Sequence, residues 1–209
     1  MEQSSMRVRE AFGEAAGFLV SAVDSVPPDR WAGPGVGEWT IAELAVHASR
    51  AASTLVTYVD GETDLSIESA ADYYAAALKM PDISSRVAAR AREQAAAIDV
   101  SIPDYVKAAV AEAELVLCRT PANAIVATPV GGMRLIDYLP TRIVEMVVHG
   151  IDLSDAVDVE PGVPATAMAV TLETLADLAV VRPEGIDPAS IVRALTGRGR
   201  LPESANLLG

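Results

Sequence analysis

The chain has 209 residues, half of them hydrophobic (51%), enough for one domain with a substantial core. Twenty-nine acidic against 16 basic residues give a formal net charge of −13, a field that repels phosphate backbones and anionic lipid, so neither nucleic acid nor a membrane surface is an expected partner. The lone Cys118 excludes an intramolecular disulfide framework, and no apolar run reaches the roughly 18 residues of a spanning helix.

The first residues carry early charges and no apolar segment followed by a cleavage site, so no secretory signal is expected and the location expected is cytoplasmic. Val8, Phe12, Ala15, Leu19 and Ala22 recur at helical spacing and predict a first helix over residues 5–24. The prolines and glycines of VPPDRWAGPGVGEW then predict a long loop. A second helix starts at WTIAEL, where Thr40 and Glu43 have the spacing of a capping box and Trp39 and Leu44 that of a hydrophobic staple. It is expected to run to Val59, before DGETD.

A short helix is predicted over 67–79, ending before Pro81, and an Ala-rich helical stretch over 84–118 with a break at Pro103. Cys118 follows Leu115, Val116 and Leu117 and is expected in the core, not as a nucleophile. NAIVATPVGGMRLI predicts a hairpin turning at Gly131-Gly132. A further helix is predicted from Asp137, with Pro140 in its first turn. DVEPGVP marks the expected boundary between a bundle over 1–158 and a short helical extension over 159–209. The extension should hold a helix over 165–181, a turn at VRPEGIDP and a last helix ending at Leu195. Arg193, Arg198 and Arg200 are expected to form a solvated basic tail. The fold class is therefore all-α: an antiparallel four-helix bundle with one short hairpin and a small helical C-terminal extension.

The stretch RIVEMVVHGIDL, residues 142–153, carries the chemistry. At about 100° per residue, Arg142, Glu145, His149 and Asp152 fall within about 80° of each other, on a helix otherwise apolar around its circumference. Two readings are open. In the first, Arg142 pairs with Glu145 and His149 is a core histidine satisfied near Asp152. In the second, Glu145 and His149, one turn apart, are two ligands of a metal. The only other histidine, His47 in ELAVHASR, also sits beside a core-facing stripe. Two imidazoles and one carboxylate make the ligand set of a zinc site with an open position, and also that of a non-haem iron(II) triad. Glu43, four residues before His47, raises a dinuclear carboxylate alternative. Arg142 would then bind a substrate carboxylate or fix Glu145, Asp152 would accept the free ring N–H of His149, and Gly150 would admit a ligand or a crossing helix.

Taken together, WTIAELAVH and RIVEMVVHGIDL, with the LTGR of IVRALTGRGR, resemble the mycothiol-dependent maleylpyruvate isomerase family of the DinB-like superfamily. The resemblance implies a DinB-like bundle in which His47, Glu145 and His149 hold a divalent metal, usually zinc. It implies mycothiol as co-substrate and a thiol S-transferase or isomerase reaction on a small electrophile. The remaining alternatives are a metal-dependent hydrolase and a non-enzymatic metal- or small-molecule-binding bundle. Monomer and homodimer are both compatible with the sequence.

Overall fold

The computed structural model describes residues 2–59, 61–182 and 184–208. Asp60 in the expected break DGETD and Pro183 in the expected turn VRPEGIDP lie outside the described residues. Four long helices carry the core: α1 (Glu2–Asp24), α2 (Ile41–Val59), and two later ones that become α5 (Ile102–Arg119) and α6 (Leu135–Ala156). Between them come α3 (Ala70–Ala77), α4 (Ile83–Ala97) and the hairpin β1 (Ile125–Thr128) and β2 (Gly131–Arg134). The chain closes with α7 (Ala165–Val181) and α8 (Pro188–Leu195).

The four long helices form a ring, α1 against α6, α6 against α2, α2 against α5 and α5 back against α1. Each turns one stripe inward: Phe12, Ala15 and Leu19 from α1, Ile41, Leu44, Ala48 and Leu55 from α2, Val106 and Ala113 from α5, Leu139, Ile143 and Met146 from α6. Burying each leucine or isoleucine is worth about 1.5–3 kcal/mol, while the alanines let the axes approach. α1 and α6 approach closely at Gly150, where a Cβ would come within 2.4 Å of the Phe18 ring. The crossing helix α1, not a ligand, is what this glycine accommodates.

Local signals set the helix starts. The capping box of α2 is closed in both directions: Thr40 N–H donates to Glu43 Oε2 at 2.8 Å and Glu43 N–H to Thr40 Oγ1 at 3.2 Å. Ser69 caps α3 and Ser101 caps α5. The Ser101 cap corrects one expectation: the break in the Ala-rich stretch falls at residues 98–101, and Pro103 lies in the first turn of α5, where its missing N–H leaves no helical bond unmade. Helix α6 begins two residues before Asp137, so Pro140 sits inside the helix instead of in its first turn.

The hairpin departs from expectation in its turn. Thr128 pairs with Gly131, so Pro129 and Val130 make the loop and both glycines belong to β2. Gly132 is there for a neighbour: its carbonyl accepts from Ser66 N–H at 2.8 Å and Ile67 N–H at 2.9 Å, and a Cβ on it would meet the Asp64 carbonyl at 2.3 Å. The segment entering α3 is thereby fastened to the hairpin.

Helix α7 packs against α1, α3 and α6. Glu14 accepts from the Ala167 N–H at 3.0 Å and from the Thr166 hydroxyl at 3.1 Å, and Arg7 pairs with Glu173 at 2.7 Å. Cys118 is exposed, contrary to expectation, because Ala113, Val116 and Leu117 take the inward positions of α5. Arg193, Arg198 and Arg200 are exposed. No described helix is long and apolar enough to cross a membrane.

Candidate metal centre

Helices α2 and α6, neighbours in the ring, bring His47 to the one-turn pair Glu145 and His149. One ligand atom from each of the three lies within 4.8 Å of the other two. His149 Nε2 is 3.5 Å and His47 Nε2 4.0 Å from the same oxygen, Glu145 Oε2. The two imidazole rings stand edge to face, 4.8 Å apart. Two imidazole nitrogens and a carboxylate oxygen are the donor types that would suit a divalent ion such as zinc.

The surroundings answer the two readings of the stripe in part: His149 is satisfied by Asp152 as the first expects, and Arg142 has partners other than Glu145. His47 turns Nε2 towards Glu145, and its other ring nitrogen, Nδ1, is buried with no hydrogen-bond partner among the described residues. Arg142 does not pair with Glu145. Its Nε donates to Thr141 Oγ1 at 2.9 Å, Nη1 reaches Thr54 Oγ1 at 3.5 Å, and the guanidinium lies 4.8 Å from the Tyr138 ring centroid and 5.7 Å from that of Tyr73. It is a nearly buried cation, 7% exposed, packed on aromatic faces. His149 Nδ1 lies 3.0 Å from Asp152 Oδ2. With the proton on Nδ1, this bond aims Nε2 at Glu145.

Burial disfavours charge on His149, but its hydrogen bonds to Asp152 and Glu145 outweigh that and raise its pKa to about 9. Burial pushes His47 down to about 4, helped by the charge on His149. For Glu145, burial opposes ionisation, yet the bond to His149 and the charges of Arg142 and the histidines hold it well below the usual carboxylate range. The set is thus one anion, one cation and one neutral imidazole, with ligand atoms close enough together that they could hold a metal ion.

Glu43 is engaged in its capping box and is not among the converging ligands. Two aromatic neighbours carry no mark in the sequence. Tyr74 of α3 donates its hydroxyl to Glu145 Oε1 at 3.1 Å, sharing it with the Thr141 carbonyl at 2.9 Å. The indole of Trp39 stands 4.7 Å from the His47 ring and 6.5 Å from that of His149. Trp39 was legible only as a staple, and nothing in the sequence relates Tyr74 to a glutamate 71 residues away.

An α-helical bundle whose two inner helices present His, Glu and His to one point defines a class of candidate metal-binding bundles. Residues 12–154 match the family model described as the mycothiol maleylpyruvate isomerase N-terminal domain, and the chain belongs to that family. No curated protein and no solved structure gives a significant match.

Proposed function

We propose that this chain is a metal-dependent thiol enzyme, an S-transferase or isomerase that uses mycothiol, in the cytoplasm, against a small electrophile. The observation that carries the proposal is the convergence of His47, Glu145 and His149 within the family-matched region. Zinc bound by these three residues would supply an open coordination position that favours thiolate over thiol near neutral pH.

The chain's own groups do the rest. Glu145 contributes an oxygen and a negative charge, and the two imidazoles contribute neutral donors. Asp152 holds the Nδ1 proton of His149 and so keeps the opposite nitrogen free to ligate. Arg142, which pairs with no carboxylate among the described residues, would hold a carboxylate of the electrophile in preference to fixing Glu145. Trp39 walls the histidine side against water. The thiol would release its proton to solvent, and the thiolate, the stronger nucleophile, would attack the electrophilic carbon. Displacement of a leaving group, or addition across an electron-poor double bond with a proton taken up at the neighbouring carbon, gives transfer. Addition followed by bond rotation and elimination of the same thiolate gives isomerisation.

The test is metal content by plasma mass spectrometry on the purified chain and on a Glu145→Ala/His149→Ala variant, followed by turnover of electrophiles with and without mycothiol. The expected result is about one zinc per chain, none in the variant, and turnover that needs both zinc and thiol. Ester or amide hydrolysis without any thiol would replace the proposal with a hydrolase. A protein that takes up no zinc would end it.

A further inference from the structure

Glu145 has two carboxylate oxygens, and the structure treats them differently. Oε2 faces both histidines, at 3.5 and 4.0 Å. Oε1 accepts from the Tyr74 hydroxyl at 3.1 Å. The same proton is shared with the Thr141 carbonyl at 2.9 Å, but a hydrogen bond to an ionised acceptor is about twice as strong as one between neutral groups, so the contact to Oε1 restrains the carboxylate's rotation.

The phenol is itself well held. Tyr74 is 5% exposed and packs with Ala71, Val144 and Leu178, and Leu207 and Leu208 close on the same cluster. Its ring meets that of Tyr73 edge to face at 5.7 Å. The Ser69 cap fixes the start of α3, and the bonds of Ser66 and Ile67 to Gly132 anchor the chain just before it. Tyr74 therefore belongs to a braced element, not a mobile side chain near the site.

We infer that Tyr74 is a positioning residue of the metal centre, holding Glu145 Oε1 so that only Oε2 is delivered to the ion. The inference rests on the metal reading above and deepens it. A carboxylate that ligates through both oxygens would fill the position the thiol needs. One oxygen from Glu145 and one nitrogen from each histidine leave that position open. Tyr74 thus sets the coordination number, and through it the access of thiol.

Tyr74→Phe removes the hydroxyl and keeps the ring. The Thr141 carbonyl remains available to the Glu145 N–H in the α6 ladder, so the fold is expected to survive. The probe is Co(II) alone, added to the metal-free full chain, with the visible absorption per bound metal as the readout. Four-coordinate cobalt absorbs several times more strongly than five- or six-coordinate cobalt. The parent protein is expected to bind one Co(II) with the strong four-coordinate spectrum. In Tyr74→Phe the absorption per metal should fall severalfold as Oε1 joins the ion. If that variant fails to fold, Tyr74→Met, which also lacks the hydroxyl, serves in its place. A folded variant with the parent's spectrum overturns the role of Tyr74 and leaves the metal reading standing. A parent protein that binds no Co(II) removes both.

Discussion

At His149 the metal-free chain holds a proton between Glu145 and Asp152, with a pKa raised to about 9, while His47 at about 4 stays neutral through the physiological range. An imidazole must lose its proton to ligate, so an incoming ion displaces the one on His149. Raising the pH removes that competitor until the raised pKa is passed. Zinc affinity is therefore expected to climb about tenfold per pH unit between about pH 6 and 9, with about one proton released per zinc at pH 7.5. Chelator competition across that range, with an indicator dye for the proton, checks it; an affinity flat with pH would mean that His149 carries no proton to displace. At this scale the sequence showed much of the centre. Glu145 and His149 were readable as a pair because helical spacing is fixed, and His47 stood out as the only other histidine. Arg142 was placed on the right stripe but with the wrong neighbour: its acceptors Thr54 and Thr141 and its aromatic contacts depend on a rotamer that no spacing specifies. Cys118 failed for a related reason, since a run of apolar residues does not say which of them faces inward.

Among the helices, α1 and α6 meet closely at Phe18 and Gly150. Gly150→Ala gains helix propensity of about 1 kcal/mol but drives a methyl into the Phe18 ring, and overpacking of this kind costs about 1–3 kcal/mol. A net loss of stability of up to about 2 kcal/mol is expected by urea denaturation; a stabilised variant would mean that the ring yields freely. Because Gly150 adjoins His149, the same strain should weaken zinc binding as well. The helices themselves were largely visible in apolar periodicity and capping residues, and α2 and α7 carry the expected limits. What escaped were features set by neighbours. Gly131-Gly132 looked like a turn because glycine pairs make turns, yet Gly132 answers to the Asp64 carbonyl, a constraint from a strand-like segment 68 residues earlier. Pro140 lies inside α6, a helix packed against α1, α2, α3 and α7, so tertiary packing surrounds the turn where the proline N–H is missing.

For the molecule as a whole, an ion at this centre joins residues 47 and 149, so it bridges α2 and α6 across about half of the chain. A ligand that binds only the folded state stabilises it by RT ln(1 + [L]/Kd), about 2.7 kcal/mol at a hundred times Kd. For a domain of this size that corresponds to a rise in Tm of about 5–11 °C. Scanning calorimetry with and without zinc should show it in the parent protein and not in the Glu145→Ala/His149→Ala variant. An equal shift in both would place the ion elsewhere, and the acidic surface of this chain makes that variant the necessary control. The bundle class and its inner helices followed from composition and period. The way α3 and the segment before it brace the centre did not, since those contacts arise only once the ring of helices is closed.

Trp39, one of two tryptophans in the chain, lies against the ring of His47 and within 6.5 Å of His149. A protonated imidazole quenches indole fluorescence, and an ion that expels the proton relieves that quenching. Zinc held by His47 and His149 would therefore brighten the emission of Trp39, and Cu(II), a quencher in its own right, would darken it. Occupancy of the centre can then be followed in unlabelled protein, at rest or in a stopped-flow mixer, before any substrate is known.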